Sequence, residues 1–197
     1  MAFCDKRLIL ASASPRRREL LGRITEQFIV RPTGCDESFT CADPAAHARQ
    51  LALRKCAAAV AESAPEDAVI AADTVVFLDG VLLEKPGSEA EAKAMLRRLS
   101  GHTHIVCTGV AVAYKGETRS FVQQTRVTFH ELSDGLIDWY VATGEPMDKA
   151  GAYGIQGKGA LLVDGIECDY FNVVGLPVAA LYRLLLEMQV PREGAAL

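Results

Sequence analysis

The chain has 197 residues, of which 50% are hydrophobic, with a formal net charge of −4 and a pI of about 5.6. This length predicts one domain over residues 1–197, either undivided or with two lobes around a central cleft, and a frayed tail at 190–197. The acidic balance, the lack of a bilayer-spanning apolar run and the lack of a signal-peptide core favour a cytoplasmic protein whose partners are neither nucleic acid nor membrane.

The first predicted elements lie in the stretch 8–21, which begins as a buried strand and turns through small residues into a helix. Ser14 is a good N-cap and Pro15 a good first helical residue. Three consecutive arginines beginning at Arg16 follow, in a turn where the helix dipole favours acidic side chains. Backbone N–H groups, a serine-rich turn and arginines indicate an anion site, most simply for phosphate. The alternative is an ordinary strand–helix connection with solvated arginines.

A strand predicted at 27–32 leads into a loop at 34–38 that carries two adjacent carboxylates, Asp36 and Glu37. Asp43 followed by a proline predicts the start of a helix that continues to about residue 61. This helix carries Lys55, and a solvated lysine on a surface helix is the simpler interpretation of that residue taken alone.

The run at 68–78 is almost continuously apolar, which predicts a central strand buried on both faces. Asp73 lies in the middle of this run. Because burying a lone carboxylate is unfavourable, we expect Asp73 to be paired, metal-bound or at an open cleft, with a functional role favoured over a structural one. A tight turn at 79–80 and a short strand at 81–83 then bring Lys85 back towards Asp73.

The second half of the chain predicts an alternation of helices and strands that ends in a helix from about 175 to 188. Trp139 is expected to pack in the core or at an interface. Four glycines within 151–159 would let the backbone approach a ligand closely, and the amide of Gln156 suits the reading of a base edge. The alternative is a mobile glycine-rich connection. The predicted elements are helices at 88–99 and 136–143 and strands at 105–114, 121–130, 161–166 and 170–174.

Together these stretches resemble the Maf family of nucleoside triphosphate pyrophosphatases, from about residue 8 to residue 186. The resemblance depends on several motifs in order rather than on any one of them. The motifs are Ser12-Ala13-Ser14-Pro15-Arg16-Arg17, the loop at 34–37, Lys55, Ala72-Asp73-Thr74, Glu84-Lys85-Pro86, Ser100-Gly101-His102, the stretch at 148–157 and Val174-Gly175-Leu176-Pro177.

The resemblance implies an α/β fold, shared with the inosine-triphosphate pyrophosphatase group, in which a mixed β-sheet bends around a deep cleft with flanking helices. It implies hydrolysis of a nucleoside triphosphate to the monophosphate and pyrophosphate, with Mg²⁺ or Mn²⁺, by a cytoplasmic homodimer. The long form of the motif at 148–157 resembles the branch that acts on dTTP and UTP. The alternative function is a nucleotide-binding regulator of septum formation or cell division with little catalysis. The absence of a Walker or kinase glycine loop disfavours a phosphotransferase.

The resemblance also implies roles for individual residues. Asp73 matches the proton acceptor, and Lys55 and Lys85 match lysines that reach the polyphosphate. Glu37 matches a carboxylate near the metal and would hold the ion together with Asp73, although Asp36 beside it leaves that assignment open. The substrate-binding residues are Ser12, Arg16, Arg17, Thr74 and Gln156, of which Thr74 and Gln156 match positions tied to substrate choice. Because consecutive helical residues point about 100° apart, Arg16 is assigned to the substrate first, Arg17 second, and Arg18 to solvent.

Overall fold

The structure, a computed structural model, describes residues 7–36, 38 and 41–191. Glu37 and most of the predicted frayed tail therefore lie outside the described residues. The strands are β1 (Leu8–Leu10), β2 (Ile29–Val30), β3 (Ala68–Leu78), β4 (Val81–Leu83), β5 (Thr103–Tyr114), β6 (Glu117–Phe129) and β7 (Val163–Glu167). The helices are α1 (Pro15–Leu21), α2 (Pro44–Ala61), α3 (Glu89–Leu99), α4 (Asp134–Ala142), α5 (Tyr170–Val174) and α6 (Val178–Glu187), with 3₁₀ turns at Glu145–Asp148, Ala150–Ala152 and Lys158–Leu162.

The strands of the described residues form one mixed sheet in the order β2-β1-β3-β5-β6-β7, with β4 paired to β3. β1 runs parallel to both β2 and β3, and the remaining pairs are antiparallel. Helices cover both faces of this sheet, so the predicted α/β fold with a mixed sheet and flanking helices is confirmed.

The sheet separates two layers of the core. Alternate residues of β3 enter different layers because successive side chains of a strand point to opposite faces. Ile70 and Ala72 belong to the larger cluster, which includes side chains of α1, α3, α4 and α6. Val69 and Ala71 belong to a smaller cluster built from small residues of α2.

Helix α2 lies unusually close to β5, and Gly109 allows this approach. A Cβ atom at Gly109 would lie 2.3 Å from the carbonyl oxygen of Ala48 in α2. Gly109 also pairs with Asp73 across β3 and β5. The glycine therefore lets α2, which carries Lys55, rest on the sheet beside the buried carboxylate.

The predicted strands and helices agree with the structure through α4, with small shifts at their ends. One later prediction is wrong, and another is confirmed only in part. The stretch predicted as a strand at 170–174 is the helix α5, because the carboxylate of Asp169 accepts hydrogen bonds from the N–H groups of Phe171 and Asn172 and caps a helical turn. The predicted strand at 161–166 begins as a 3₁₀ turn and becomes extended only at Val163.

Trp139 is not a core residue, contrary to that part of its prediction. Its side chain is 44% exposed, and the ammonium group of Lys158 lies 5.6 Å from the centre of its ring. A cation placed over an aromatic face is attracted by the ring electrons. The contact connects α4 with the segment that follows the glycine-rich stretch. No helix in the described part of the chain is long and apolar enough to cross a bilayer.

His104 is a buried titratable group that makes stability depend on pH. It is 1% exposed, its Nε2 lies 2.8 Å from the hydroxyl of Tyr153, and burial lowers its pKa from 6.5 to about 4. The unfolded chain therefore binds more protons than the folded chain between these values, and stability falls as pH falls through this window. We expect His104 to remove about 3 kcal/mol from the free energy of unfolding between pH 7 and pH 4.

Urea unfolding of the wild type and of His104→Gln at pH 7, 5.5 and 4.5 measures this effect. The variant is expected to be less stable at pH 7 and to lose less stability on acidification than the wild type. Substitution of the exposed His102 by glutamine is the matched control and is expected to follow the wild-type dependence. Parallel curves for wild type and His104→Gln would contradict this account.

Candidate active site

A cleft of about 860 Å³ opens between α1, the hairpin of β3 and β4, and the glycine-rich segment. We refer to it as the central cleft. All the site residues predicted from the sequence, except Glu37, line it. These residues are Ser12, Arg16, Arg17, Lys55, Asp73, Thr74, Lys85 and Gln156.

Asp73 and Lys55 form an ion pair at the floor of the central cleft. The ammonium nitrogen of Lys55 lies 2.7 Å from Oδ1 of Asp73, and only 13% and 10% of the two side chains are exposed. The pairing offsets part of the cost of burying the carboxylate, which answers how Asp73 can lie in an apolar strand. The helix α2 that carries Lys55 is held close to the sheet by Gly109.

Arg17 connects α1 to three other parts of the cleft wall. Its Nε donates to the carbonyl oxygen of Gly175 at 2.9 Å, its Nη1 to Oγ of Ser12 at 3.3 Å, and its Nη2 to Oγ1 of Thr74 at 3.0 Å. The cap of α1 forms as predicted, with Oγ of Ser14 accepting from the N–H of Arg17. Arg17 therefore holds the cleft wall together through side chains and carbonyls of the protein itself.

Arg16 points across the cleft towards the segment after α4. Its Nη1 lies 3.0 Å from Oδ2 of Asp148, and the ammonium group of Lys149 contacts Oδ1 of the same carboxylate at 2.5 Å. Burial alone would raise the pKa of Asp148, but the hydrogen bonds from Lys149 and Arg16 together hold that pKa below its usual value. Arg16 is thus a cation at the cleft with a carboxylate beside it, while Arg18 is exposed, as predicted.

Lys85 follows β4 and is exposed at the cleft. Among the described residues it forms no ion pair, in contrast to Lys55 and Lys149. Because no carboxylate of the described residues neutralises the ammonium group of Lys85, its charge is available to attract a bound anion. With Arg16, Arg17, Lys55 and Lys149, it gives the cleft five cationic side chains against four carboxylates, which are Asp73, Glu84, Glu145 and Asp148.

The glycine loop, residues 154–159, is held by a carboxylate rather than left mobile. Glu145 accepts hydrogen bonds from the N–H of Lys158 at 2.9 Å and the N–H of Gly159 at 3.2 Å. It also accepts from the hydroxyl of Tyr140 at 3.0 Å, and that hydroxyl in turn accepts from the N–H of Gly154 at 3.0 Å. Both ends of the loop are therefore tied to one pair of side chains, with Gln156 exposed between them.

The glycines of this loop are required by contacts within the protein. A Cβ atom at Gly154 would lie 2.5 Å from the side chain of Lys149, and one at Gly157 would lie 2.5 Å from Oε2 of Glu145. The sequence-based reason for these glycines was close approach of the backbone to a ligand. The structure adds a second reason, which is close approach to Glu145 and Lys149.

Several cleft residues received no role from the sequence. Glu145 is one of them, because its hydrogen bonds to N–H groups 13 and 14 residues later are not visible in the local sequence. Tyr140 is hidden in the apolar pattern of α4. The cleft-lining side chains without a predicted role include Glu84, Glu145, Asp148, Lys149, Tyr153 and His47.

The donor chemistry of the cleft suits a hard divalent cation. Oδ1 of Asp73 contacts Lys55, while Oδ2 accepts no hydrogen bond from the described residues. Within the described ranges, no group of three or more His, Cys, Asp or Glu side chains is arranged to hold a metal ion. Mg²⁺ commonly keeps several waters and binds one or two carboxylates together with substrate phosphates, so a single carboxylate oxygen fits this ion.

The loop at 34–38 gives only part of the predicted metal site. Glu37 lies outside the described residues. Asp36 is exposed, and Oδ1 of its carboxylate accepts hydrogen bonds from both the hydroxyl and the N–H of Ser38, which lower its pKa. Asp36 is not among the residues that line the central cleft. The assignment of Glu37 to the metal therefore stays a prediction.

Comparisons with known proteins agree with this geometry. A family model described as Maf-like protein matches residues 7–188. A dTTP/UTP pyrophosphatase of Moorella thermoacetica is 54% identical over 182 residues, covering 91% of this chain and 93% of the relative. A dTTP/UTP pyrophosphatase of Thermococcus kodakarensis is 49% identical over 177 residues, covering 90% of this chain and 94% of the relative.

A solved structure extends the likeness at the level of the fold. The Ham1 protein of Staphylococcus aureus superposes with a TM-score of 0.53 at 16% identity, covering 93% of this chain and 100% of that one. At this identity the match concerns architecture alone. It shows that the mixed sheet and its helices form an arrangement found outside the close relatives.

Proposed function

This chain belongs to the Maf family, and we propose that it is a nucleoside triphosphate pyrophosphatase that hydrolyses dTTP and UTP to the monophosphates and pyrophosphate. The single observation that carries the proposal is the meeting of Arg16, Lys55 and Lys85 with Asp73 in one cleft. A triphosphate carries several negative charges, and phosphoryl chemistry depends mainly on positioning and on stabilising that charge.

The proposed mechanism assigns a task to each of these side chains. Arg16 and Lys85 bind phosphate oxygens and orient the chain of phosphates along the cleft. Lys55 holds Oδ1 of Asp73, which leaves Oδ2 to accept a proton from the attacking water. Arg17 keeps α1 and Thr74 in place through its contacts with the protein. Binding of the phosphates is its secondary role, after Arg16.

A divalent cation, Mg²⁺ or Mn²⁺, is part of the proposal. When bound, it would neutralise charge on the phosphate oxygens. Glu37 and Asp73 are the residues we propose would hold it, Asp73 through a water rather than directly, which keeps its Oδ2 for the proton of the attacking water. We also propose that the enzyme is a homodimer in the cytoplasm. Its proposed ligand is the nucleoside triphosphate, and we propose that it binds neither nucleic acid nor membrane.

Release of pyrophosphate from a panel of nucleoside triphosphates, with Mg²⁺ or Mn²⁺, tests the proposal. The expected result is turnover of dTTP and UTP that depends on the metal and exceeds turnover of purine nucleotides. Release of inorganic phosphate in place of pyrophosphate would contradict the proposed bond cleavage. Binding of nucleotide without any turnover would favour the nucleotide-binding regulator instead, although the intact pair of Lys55 and Asp73 argues for catalysis.

Gln156 is expected to contribute to the choice of base. It is exposed at the cleft in the middle of a loop whose ends are fixed by Glu145 and Tyr140. Replacement by alanine removes an amide that can both donate to and accept from a base edge. We expect Gln156→Ala to reduce the ratio of kcat/KM for UTP over GTP about tenfold, with kcat for UTP less affected. Equal ratios in wild type and variant would reject this role.

A further inference from the structure

A chain of hydrogen bonds runs from the cleft into the core beneath Thr74. Nη2 of Arg17 donates to Oγ1 of Thr74 at 3.0 Å. Oγ1 of Thr74 lies 2.9 Å from Oγ1 of Thr108, its direct partner across β3 and β5. Oγ1 of Thr108 donates to the carbonyl oxygen of Asn172 at 2.9 Å. Thr108 and Asn172 are fully buried, and neither was given a role by the sequence.

The direction of this chain follows from counting protons. A carbonyl oxygen can only accept, so the single hydroxyl proton of Thr108 is used by Asn172. The proton between the two threonines must then come from Thr74. Oγ1 of Thr74 has two lone pairs, and one of them is occupied by Arg17. Thr74 therefore keeps one lone pair and no proton for a group in the cleft.

The ligand chemistry that suits such a hydroxyl is a hydrogen-bond donor. Uracil and thymine carry an N–H group at N3, whereas cytosine has an unprotonated, accepting nitrogen at the same position. The sugar hydroxyls do not distinguish these bases. An acceptor fixed at the cleft thus favours the imide edge of uracil or thymine over cytosine, because an accepting nitrogen opposite an accepting oxygen leaves both groups unpaired.

We propose that Thr108 is a positioning residue that fixes Thr74 as an acceptor for the imide N–H of the substrate base. This inference rests on the proposed function, which names dTTP and UTP and gives Gln156 a part in the choice of base, and it adds Thr74 as a second group that contacts the base. Thr108 lies below the cleft wall and acts through Thr74. The backbone carbonyl of Asn172 accepts the proton of Thr108 and so fixes the direction of the chain. The side-chain amide of Asn172 donates to the carbonyl oxygen of Val106 and to the hydroxyl of Thr125.

The test compares kcat/KM for UTP and CTP in Thr108→Val, which keeps the shape of the side chain but removes the hydroxyl. Without its acceptor, the proton of Thr74 is free to point into the cleft and to serve cytosine. We expect the UTP:CTP ratio to fall about tenfold, mainly through a lower KM for CTP. Thr108→Ser retains the hydroxyl and is expected to restore the wild-type ratio.

Thr103→Val is the matched control. Thr103 lies on the same strand as Thr108, and its Oγ1 is 2.8 Å from Oγ1 of its cross-strand partner Thr128, but it neither lines the central cleft nor contacts Thr74 or Asn172. Its loss also removes a hydroxyl from a cross-strand threonine pair and is expected to leave the UTP:CTP ratio unchanged. An equal fall of the UTP:CTP ratio in both variants would show that the effect comes from a general loss of packing, and it would overturn the proposal.

Two further outcomes are decisive. An unchanged ratio in a folded Thr108→Val overturns the proposal. Should that variant fail to fold, Thr74→Val and Thr74→Ser answer the same question, because only serine keeps the acceptor. The ratio is expected to fall in the valine variant alone, and an unchanged ratio there also overturns the proposal. Absence of pyrophosphate release from UTP by the wild type would instead contradict the proposed function, so the two failures are distinguishable.

Discussion

Replacing Asp73 by asparagine is expected to lower pyrophosphate release from dTTP and UTP about 10³-fold, the range that a positioned general base contributes. The amide has nearly the shape of the carboxylate but does not accept a proton from water. Because Lys55 still reaches the open cleft, its charge stays partly solvated and the fold is expected to remain intact. Steady-state kinetics together with circular dichroism measure the two expectations separately.

Asp138→Asn is the matched control for this experiment. Asp138 also pairs with a lysine, Lys93, at the same 2.7 Å, but its side chain is 56% exposed and it does not line the central cleft. The Asp138→Asn variant is expected to retain the wild-type kcat/KM because Asp138 lies outside the cleft. It is also expected to fold, since an exposed ion pair contributes little to stability. Hydrolysis at the wild-type rate in Asp73→Asn would remove Asp73 from the mechanism.

The largest effect on stability is expected from Gly109→Ala. The added Cβ atom would lie 2.3 Å from the carbonyl oxygen of Ala48 and 2.6 Å from the backbone nitrogen of Arg49, so α2 must move away from the sheet. Overpacking of this kind costs about 3 kcal/mol, which lowers the melting temperature by about 6–12 °C in a chain of this size. Activity is expected to fall as well, because α2 carries Lys55 to Asp73.

Gly165→Ala serves as the control because Gly165 also lies in a strand, β7, but an added Cβ atom would meet no heavy atom within 4 Å. Thermal unfolding followed by circular dichroism measures both variants. Gly165→Ala is expected to melt close to the wild type. A difference of 1 °C in melting temperature corresponds to about a quarter of a kcal/mol in the free energy of unfolding. A melting temperature for Gly109→Ala within about 1 °C of the wild type would show that α2 moves without a loss of stability.

The elements that could be predicted from the sequence are those with strong local signals. Ser14 and Pro15 mark the start of α1, Asp43 caps α2, and the apolar run of β3 extends over the residues expected. α5 could not be predicted because its five residues resemble a strand. Its cap at Asp169 is a local signal that these five residues outweigh, and the burial of Asn172, which favours the helix, is a contact of the folded chain.

The same distinction applies to the site. Asp73 was recognisable because a carboxylate in an apolar strand is unfavourable without a partner, and Lys55 is that partner. Glu145 and Thr108 were not recognisable. The carboxylate of Glu145 binds backbone N–H groups 13 and 14 residues later, and Thr108 meets Asn172 across 64 residues. Nothing in the local sequence of either residue distinguishes it from an ordinary surface acid or strand threonine.

The hydrogen bond from Arg17 to the carbonyl oxygen of Gly175 spans 158 residues of sequence, and the one to Thr74 spans 57. Contacts between such distant segments form late in folding, because the entropy of closing the chain must be lost before they can stabilise anything. During synthesis, the opening arginines leave the ribosome long before α5 does. The nascent chain therefore acquires its complete cleft only when Gly175, about nine-tenths of the way along the 197 residues, has emerged, and a product truncated before α5 would lack the wall that holds Arg17.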